Sequence, residues 1–317
     1  MGGATGRKVI ISIGGNAIVR RNSGGGVEEQ FENVAGAAAA IARLATGGTS
    51  VIITHGNGPI VGNIVLRNEA ARNVVPPMPL YICDADSEGG VGFLIQQTIY
   101  NQLNRLHGIK DVVTVVTQVV VDPEDPAFLN PTKPIGPFYT EEEARRLGAD
   151  KGWAMREDSN RGWRRAVPSP RPVRVVEAGV IKRLAEAGVI VIAAGGGGVP
   201  VTEGKDGNLR GVDAVIDKDL ATALLARETG AGVFVNLTQV EMVYEAFGKP
   251  GQRGLTGLTV AEAQRLLDAG EFAPGSMGPK IEAAVEFIKA GGKEVVITTP
   301  DLMQAALEGR AGTRIAG

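Results

Sequence analysis

The sequence predicts an α/β protein whose mainly parallel sheet is covered by helices on both faces. Three observations carry that prediction. Short apolar, β-branched runs alternate with amphipathic stretches at helical spacing along most of the chain. At least three of those runs break directly into glycine turns. In a chain of 317 residues, 44% hydrophobic against 21% charged residues supplies a sizeable core.

The elements follow in order. Val9-Ile10-Ile11-Ser12-Ile13 is a strand that ends in Gly14-Gly15-Asn16-Ala17. Residues 28–45 form a helix, with Phe31, Val34, Ala38, Ile41 and Leu44 at helical spacing. Val51-Ile52-Ile53-Thr54 is a second strand, running into His55-Gly56-Asn57-Gly58-Pro59 and then a helix to about Arg72. Pro76-Pro77 closes that unit. Residues 92–106 read as a helix and 112–116 as a third strand. From Asp122 to about Pro172 the rhythm stops. Prolines recur, both tryptophans lie here, and charge is dense. This segment reads as a lid inserted within a single domain spanning 1–317, with Trp153 and Trp163 as its anchors. The alternation then resumes with a helix over 177–187, a strand over 189–193, a helix over 217–229 and a strand over 233–237. Helices over 260–269 and 277–290, a strand over 295–298, a helix over 301–307 and an edge strand over 312–315 complete the chain.

Composition excludes several classes. A formal net charge of −2 provides no overall basic field for nucleic acid or an anionic membrane. One cysteine, Cys83, rules out an internal disulfide framework and a cysteine-based zinc site, and reads as a small buried hydrophobe. Two histidines make no histidine-rich metal centre. The N-terminal segment lacks the charged-then-apolar pattern of a signal peptide, and no 18-residue apolar run occurs, so a cytoplasmic protein is expected.

The chemistry gathers at the glycine turns. Neither a G-x-x-x-x-G-K-[ST] loop nor a G-x-G-x-x-G after the first strand is present. Instead Gly14-Gly15-Asn16, His55-Gly56-Asn57-Gly58 and Gly195-Gly196-Gly197-Gly198 each follow a strand. Bare turns with helix N-termini behind them receive phosphate or carboxylate oxygens on backbone amides. Shortly after the third turn comes Asp217-Lys218-Asp219, set among apolar residues where charges cost free energy unless paired. Lys280 follows Pro279 in a glycine turn that opens a helix, and Lys133 belongs to the lid segment. Phosphoryl transfer needs positioning and charge neutralisation, for which lysines are the natural complement. His55, beside a glycine turn, is expected to hydrogen-bond locally.

Together these stretches resemble carbamate kinases, of the amino acid kinase family. The resemblance rests on Gly14-Gly15-Asn16-Ala17, Thr54-His55-Gly56-Asn57-Gly58-Pro59, Thr117-Gln118-Val119-Val120-Val121-Asp122-Pro123 and Asn130-Pro131-Thr132-Lys133-Pro134-Ile135-Gly136-Pro137-Phe138-Tyr139. It extends to Gly162-Trp163-Arg164-Arg165-Ala166-Val167-Pro168-Ser169-Pro170, residues 195–200 and 214–220, and Phe272-Ala273-Pro274-Gly275-Ser276-Met277-Gly278-Pro279-Lys280. It implies an open three-layer α/β/α sandwich, a homodimer, and reversible transfer between ATP and carbamate giving ADP and carbamoyl phosphate, with Mg2+ carried by the nucleotide. By resemblance, Lys133 and Lys218 neutralise the moving phosphoryl group, Asp217 orients the lysines, and Lys280 holds the nucleotide phosphates. Gly14, Gly15, Asn16, Gly56, Asn57, Gly58, Gly196 and Gly197 would cradle carbamate and the transferred group. Tyr244, Phe272, Ala273, Pro274, Gly275 and Met277 would meet the nucleotide. Two stretches depart from the pattern: Thr238-Gln239, where relatives often carry Thr-Asp, and the acidic 84–90 segment, where relatives are closer to Ala-Met-Ser-Gln-Gly. A sibling kinase with another small acceptor, or a silent metabolite-sensing homologue, are the competing readings.

Overall fold

The computed structural model describes residues 6–19, 25–108, 110–157, 162–273 and 275–317. An eight-stranded sheet runs through its centre in the order Gly257–Thr259, Thr313–Ala316, Glu294–Thr298, Val233–Leu237, Lys8–Ile13, Ser50–His55, Ile190–Ala193, Val112–Val115. From Glu294–Thr298 onward in that order every neighbour is parallel, so the carboxyl ends of these strands share one rim.

The period-2 alternation of the strands sorts their side chains into two cores. Ile10, Ile52, Val191 and Phe234 pack under helices Lys218–Thr229 and Met277–Lys289 on one face. Val9, Ile11, Ile13, Ile53 and Val235 pack under helices Val27–Thr46 and Leu80–Arg105 on the other. This is the three-layer arrangement expected from the apolar runs.

Three features differ from the sequence expectations. The helix placed at 92–106 begins twelve residues earlier and spans Leu80–Arg105. In the structure Asp84, Ser87 and Glu88 are buried because groups on the glycine turns bind them. The last strand, Thr313–Ala316, is not an edge: it pairs antiparallel with Glu294–Thr298 and parallel with Gly257–Thr259. The final helix is shorter than 301–307, spanning Met303–Leu307.

The segment 122–172 carries its own three-stranded antiparallel sheet, with Trp163–Val167 between Lys133–Tyr139 and Met155–Glu157. The Trp153 ring meets two cations there, Lys151 at 4.9 Å and Arg165 at 4.5 Å. The sheet seats on helix Gly58–Ala71 backbone to backbone. A Cβ at Gly62 would lie 2.0 Å from the Cα of Gly136. Val61, Val65, Cys83, Ile135, Val167 and Val215 form a third small core at that seam, and Lys151 pairs with Glu69 across it at 2.5 Å. A further four-stranded sheet of Leu209–Gly211, Val199–Glu203, Gln118–Val121 and Pro172–Val175 joins this segment to the central sheet. Its short strands carry no pattern long enough to be read beforehand.

Candidate active site

The rim of parallel carboxyl ends brings the three glycine turns into contact. Strand Lys8–Ile13 ends at Gly14, whose N–H donates to the Leu237 carbonyl at 3.2 Å. Its neighbour Ser50–His55 ends at Gly56, whose N–H donates to the Ile13 carbonyl at 2.9 Å. A Cβ at Gly56 would sit 2.6 Å from the Gly15 nitrogen and 3.3 Å from Cδ of Lys218. Only glycine therefore lets these two turns and that lysine approach so closely. The third turn interlocks with the second. Gly196 and Gly197 have φ of +68° and +106°, and their missing side chains would strike the Asn57 amide and the Ile216 carbonyl. Gly58 opens helix Gly58–Ala71 at the same rim, presenting the positive end of its dipole there.

Charged side chains fill the floor of this rim. Asp217 caps helix Lys218–Thr229, its Oδ1 accepting from the Asp219 N–H at 2.9 Å and its Oδ2 from Lys133 Nζ at 2.6 Å. Asp219 is 4% exposed and accepts from Lys218 Nζ at 2.6 Å, Lys280 Nζ at 3.0 Å and Asn236 Nδ2 at 2.7 Å. Lys218 also donates to Ser12 Oγ at 2.8 Å. Three lysines face two aspartates, which leaves one positive charge unmatched.

Burial works against the charge on each group, and the partners decide the outcome. At Asp219 it would favour the neutral acid, but the two ammonium groups outweigh it and hold the carboxyl far below its ordinary range. Asp217, partly buried, is likewise held low, chiefly by Lys133. Lys218 is pushed down to about 8, first by burial and then by the charge of Lys280, with Asp219 opposing.

The resemblance implied that Asp217 orients the lysines. The structure divides that role between two carboxylates. Asp217 pairs with Lys133, while Asp219 holds Lys218 and Lys280. Ser12 and Asn236 are residues that sequence reasoning missed, and Asp219 stood in the triplet without a role of its own. Ser12 and Asn236 each interrupt an apolar strand one residue before its end, which is the signal that could have found them. His55 is fully buried, and its Nδ1 meets the Gly56 carbonyl at 3.3 Å, the local bond expected of it. Burial lowers its pKa to about 4, so the ring is neutral and wedges beneath Gly195.

Of the residues expected to meet the nucleotide, Phe272 is buried in the larger core, to which the helices over 260–268 and 277–289 also contribute. The Ala273 carbonyl accepts from Ser276 and Gly278 N–H, closing the turn that opens the Lys280 helix. Gly275 borders open space, and Met277 is the first residue of that helix. Tyr244 lies in strand Val243–Glu245 with its ring tilted against Phe247, and Glu271 accepts from the Ala246 N–H, tying that hairpin to the turn. Pro274 lies outside the described residues, as does the side chain of Asn16, whose backbone forms part of the Gly15–Ile18 turn. Gln239, exposed just beyond strand Val233–Leu237, brings no carboxylate to the rim.

Residues 7–299 match the model of the Amino acid kinase family. The carbamate kinase of Pyrococcus furiosus is 47% identical over 312 residues, covering 98% of this chain and 99% of that protein. A protein of Escherichia coli K12 called carbamate kinase-like protein YahI is 48% identical over 310 residues, 97% of this chain and 98% of that one. Among solved structures, carbamate kinase from Giardia lamblia bound to AMP-PNP superposes with a TM-score of 0.91 at 45% identity, covering 99% of each chain.

Proposed function

The chain belongs to the amino acid kinase family, and from that membership we propose how the rim works. The protein catalyses reversible phosphoryl transfer between ATP and carbamate, giving ADP and carbamoyl phosphate. One observation carries the mechanism: three lysine ammonium groups set against two aspartates, a net positive charge, stand where three bare turns meet. A carbamate oxygen attacks the γ-phosphorus in line, the bond from phosphorus to the β–γ bridging oxygen breaks, and ADP leaves. The transition state spreads negative charge over the equatorial oxygens, and preorganised cations stabilise it without reorganising.

In this reading Lys218 and Lys133 flank the group in transit, and Lys280, with Tyr244 and the 273–277 turn, holds the nucleotide. The backbone of Gly14, Gly15, Asn16, Gly56, Gly58, Gly196 and Gly197 cradles the acceptor and the transferred group, with Asn57 bracing the turns. The segment 122–172 acts as a lid that delivers Lys133. Asp217 and Asp219 are committed to lysines, and magnesium arrives on the nucleotide as part of the substrate. The enzyme works as a cytoplasmic homodimer.

Purified protein given ADP, magnesium and carbamoyl phosphate is expected to form ATP in a coupled assay. No ATP would overturn the reading, and turnover with another acyl phosphate instead would assign a sibling activity. The same assay carries a pH prediction. kcat/KM is expected to fall as pH rises through about 8, where Lys218 loses its proton. In kcat the fall moves to higher pH, because bound phosphates favour the ammonium form. Stability moves oppositely: Lys218 binds its proton less readily folded than unfolded, so its burial penalty is relieved between pH 8 and 10.5. A kcat/KM flat through pH 10 would remove Lys218 charge from the mechanism.

A further inference from the structure

Helix Gly58–Ala71 meets the rim with its first residue and the lid with its side. One turn in from Gly58, Gly62 is buried against the lid strand Lys133–Tyr139. A Cβ at 62 would lie 2.0 Å from the Gly136 Cα, 2.1 Å from the Gly136 nitrogen and 3.2 Å from the Ile135 carbonyl carbon. All three atoms are backbone, so no rotamer change can relieve the contact, and the strand itself would have to move. Gly136 is shaped for this meeting. Its φ is +74°, the register with strand Trp163–Val167 breaks after Ile135, and its carbonyl accepts from Arg164 Nε at 2.9 Å. Pro134 and Pro137 stiffen the backbone on either side. Two turns further along the helix, Glu69 accepts from Lys151 Nζ at 2.5 Å and closes the outer end of the seam.

Resting on the functional reading above, we propose that Gly62 is a positioning residue for phosphoryl transfer: by bearing on Gly136 it sets the lid strand where Lys133 reaches the group in transit. Lys133 lies three residues before Gly136, ~10 Å along the strand. Its Nζ donates to Asp217 Oδ2 at 2.6 Å. Gly58 lies four residues before Gly62, ~6 Å along the helix axis. One helix thus references the bare turns and the lid lysine to each other. A methyl group at 62 pushes the strand off the helix, and Lys133 leaves Asp217 with it. A displacement of ~1 Å is enough, because the cation must stand in place before the charge develops. Lys280 and the 273–277 turn stand on another element, so the nucleotide end keeps its geometry.

The test combines Gly62→Ala and Lys133→Ala, singly and together, in the assay of ATP formation. Gly62→Ala is expected to lower kcat about 30-fold, with KM for ADP within about twofold of wild type, since the substitution acts only through Lys133. Alanine favours the helix, so the chain should fold. The double variant should be no slower than Lys133→Ala alone. Wild-type kcat in Gly62→Ala, or losses that multiply in the double variant, would overturn the proposal. Should alanine at 62 prevent folding, Glu69→Gln loosens the same seam without added bulk. Its kcat should fall about threefold alone and no further on top of Lys133→Ala, and an unchanged kcat would overturn the proposal. Both tryptophans, Trp153 and Trp163, lie in the lid, so altered tryptophan emission in Gly62→Ala reports its displacement without turnover. Identical emission in wild type and variant counts against the proposal, and stays distinct from a wild type that makes no ATP.

Discussion

Replacing Lys218 with alanine is expected to lower kcat by roughly 10³-fold while the protein stays folded. The ammonium is held by Ser12 on the central strand and by Asp219, and it stands beside Gly56, where two turns meet. No neighbouring side chain can take its place. Lys133 is tied to Asp217, and Lys280 approaches Asp219 from its other oxygen. The fold survives because Asp219 keeps Lys280 and Asn236 as partners, and because removing a desolvated charge relieves a burial cost. The reverse-direction assay measures the loss, and circular dichroism with a thermal melt checks the fold. A variant turning over at the wild-type rate would exclude Lys218 from the reaction.

Asp219→Asn is expected to be harmful in a different way. It leaves two buried ammonium groups without their shared counter-charge, and the new amide places a donor opposite one of them. Breaking a buried pair from one side costs about 3–5 kcal/mol. The melting temperature should drop markedly, with kcat lowered about 10²-fold. Nucleotide phosphates restore the missing negative charge, so added nucleotide should raise the variant's melting temperature more than that of wild type. Asp217→Asn is the contrasting case. Asparagine still caps the helix, so stability changes little, and the loss falls on Lys133 alone. Equal destabilisation by the two substitutions would overturn the division of roles between the aspartates.

Much of this molecule is legible from local pattern. Runs such as Val9–Ile13 and Val233–Leu237 announce buried strands, and the glycines after Ile13 and His55 mark turns, of which Gly56 admits no side chain. Lys133, Lys218 and Lys280 stand out because glycine, proline or apolar neighbours set each apart from an ordinary surface lysine. The acidic half of helix Leu80–Arg105 is not legible, since buried carboxylates contradict local preference unless distant partners are known.

The chain alone determines where strands end in glycine and which residue types wait there, because periodicity and backbone freedom are local properties. Tertiary structure alone decides which carboxylate serves which lysine. Lys133 reaches Asp217 across 84 positions, Lys280 reaches Asp219 across 61, and Glu88 meets Gly195 across 107. No local pattern encodes such pairings; the parallel rim creates them by bringing its strand ends together in space.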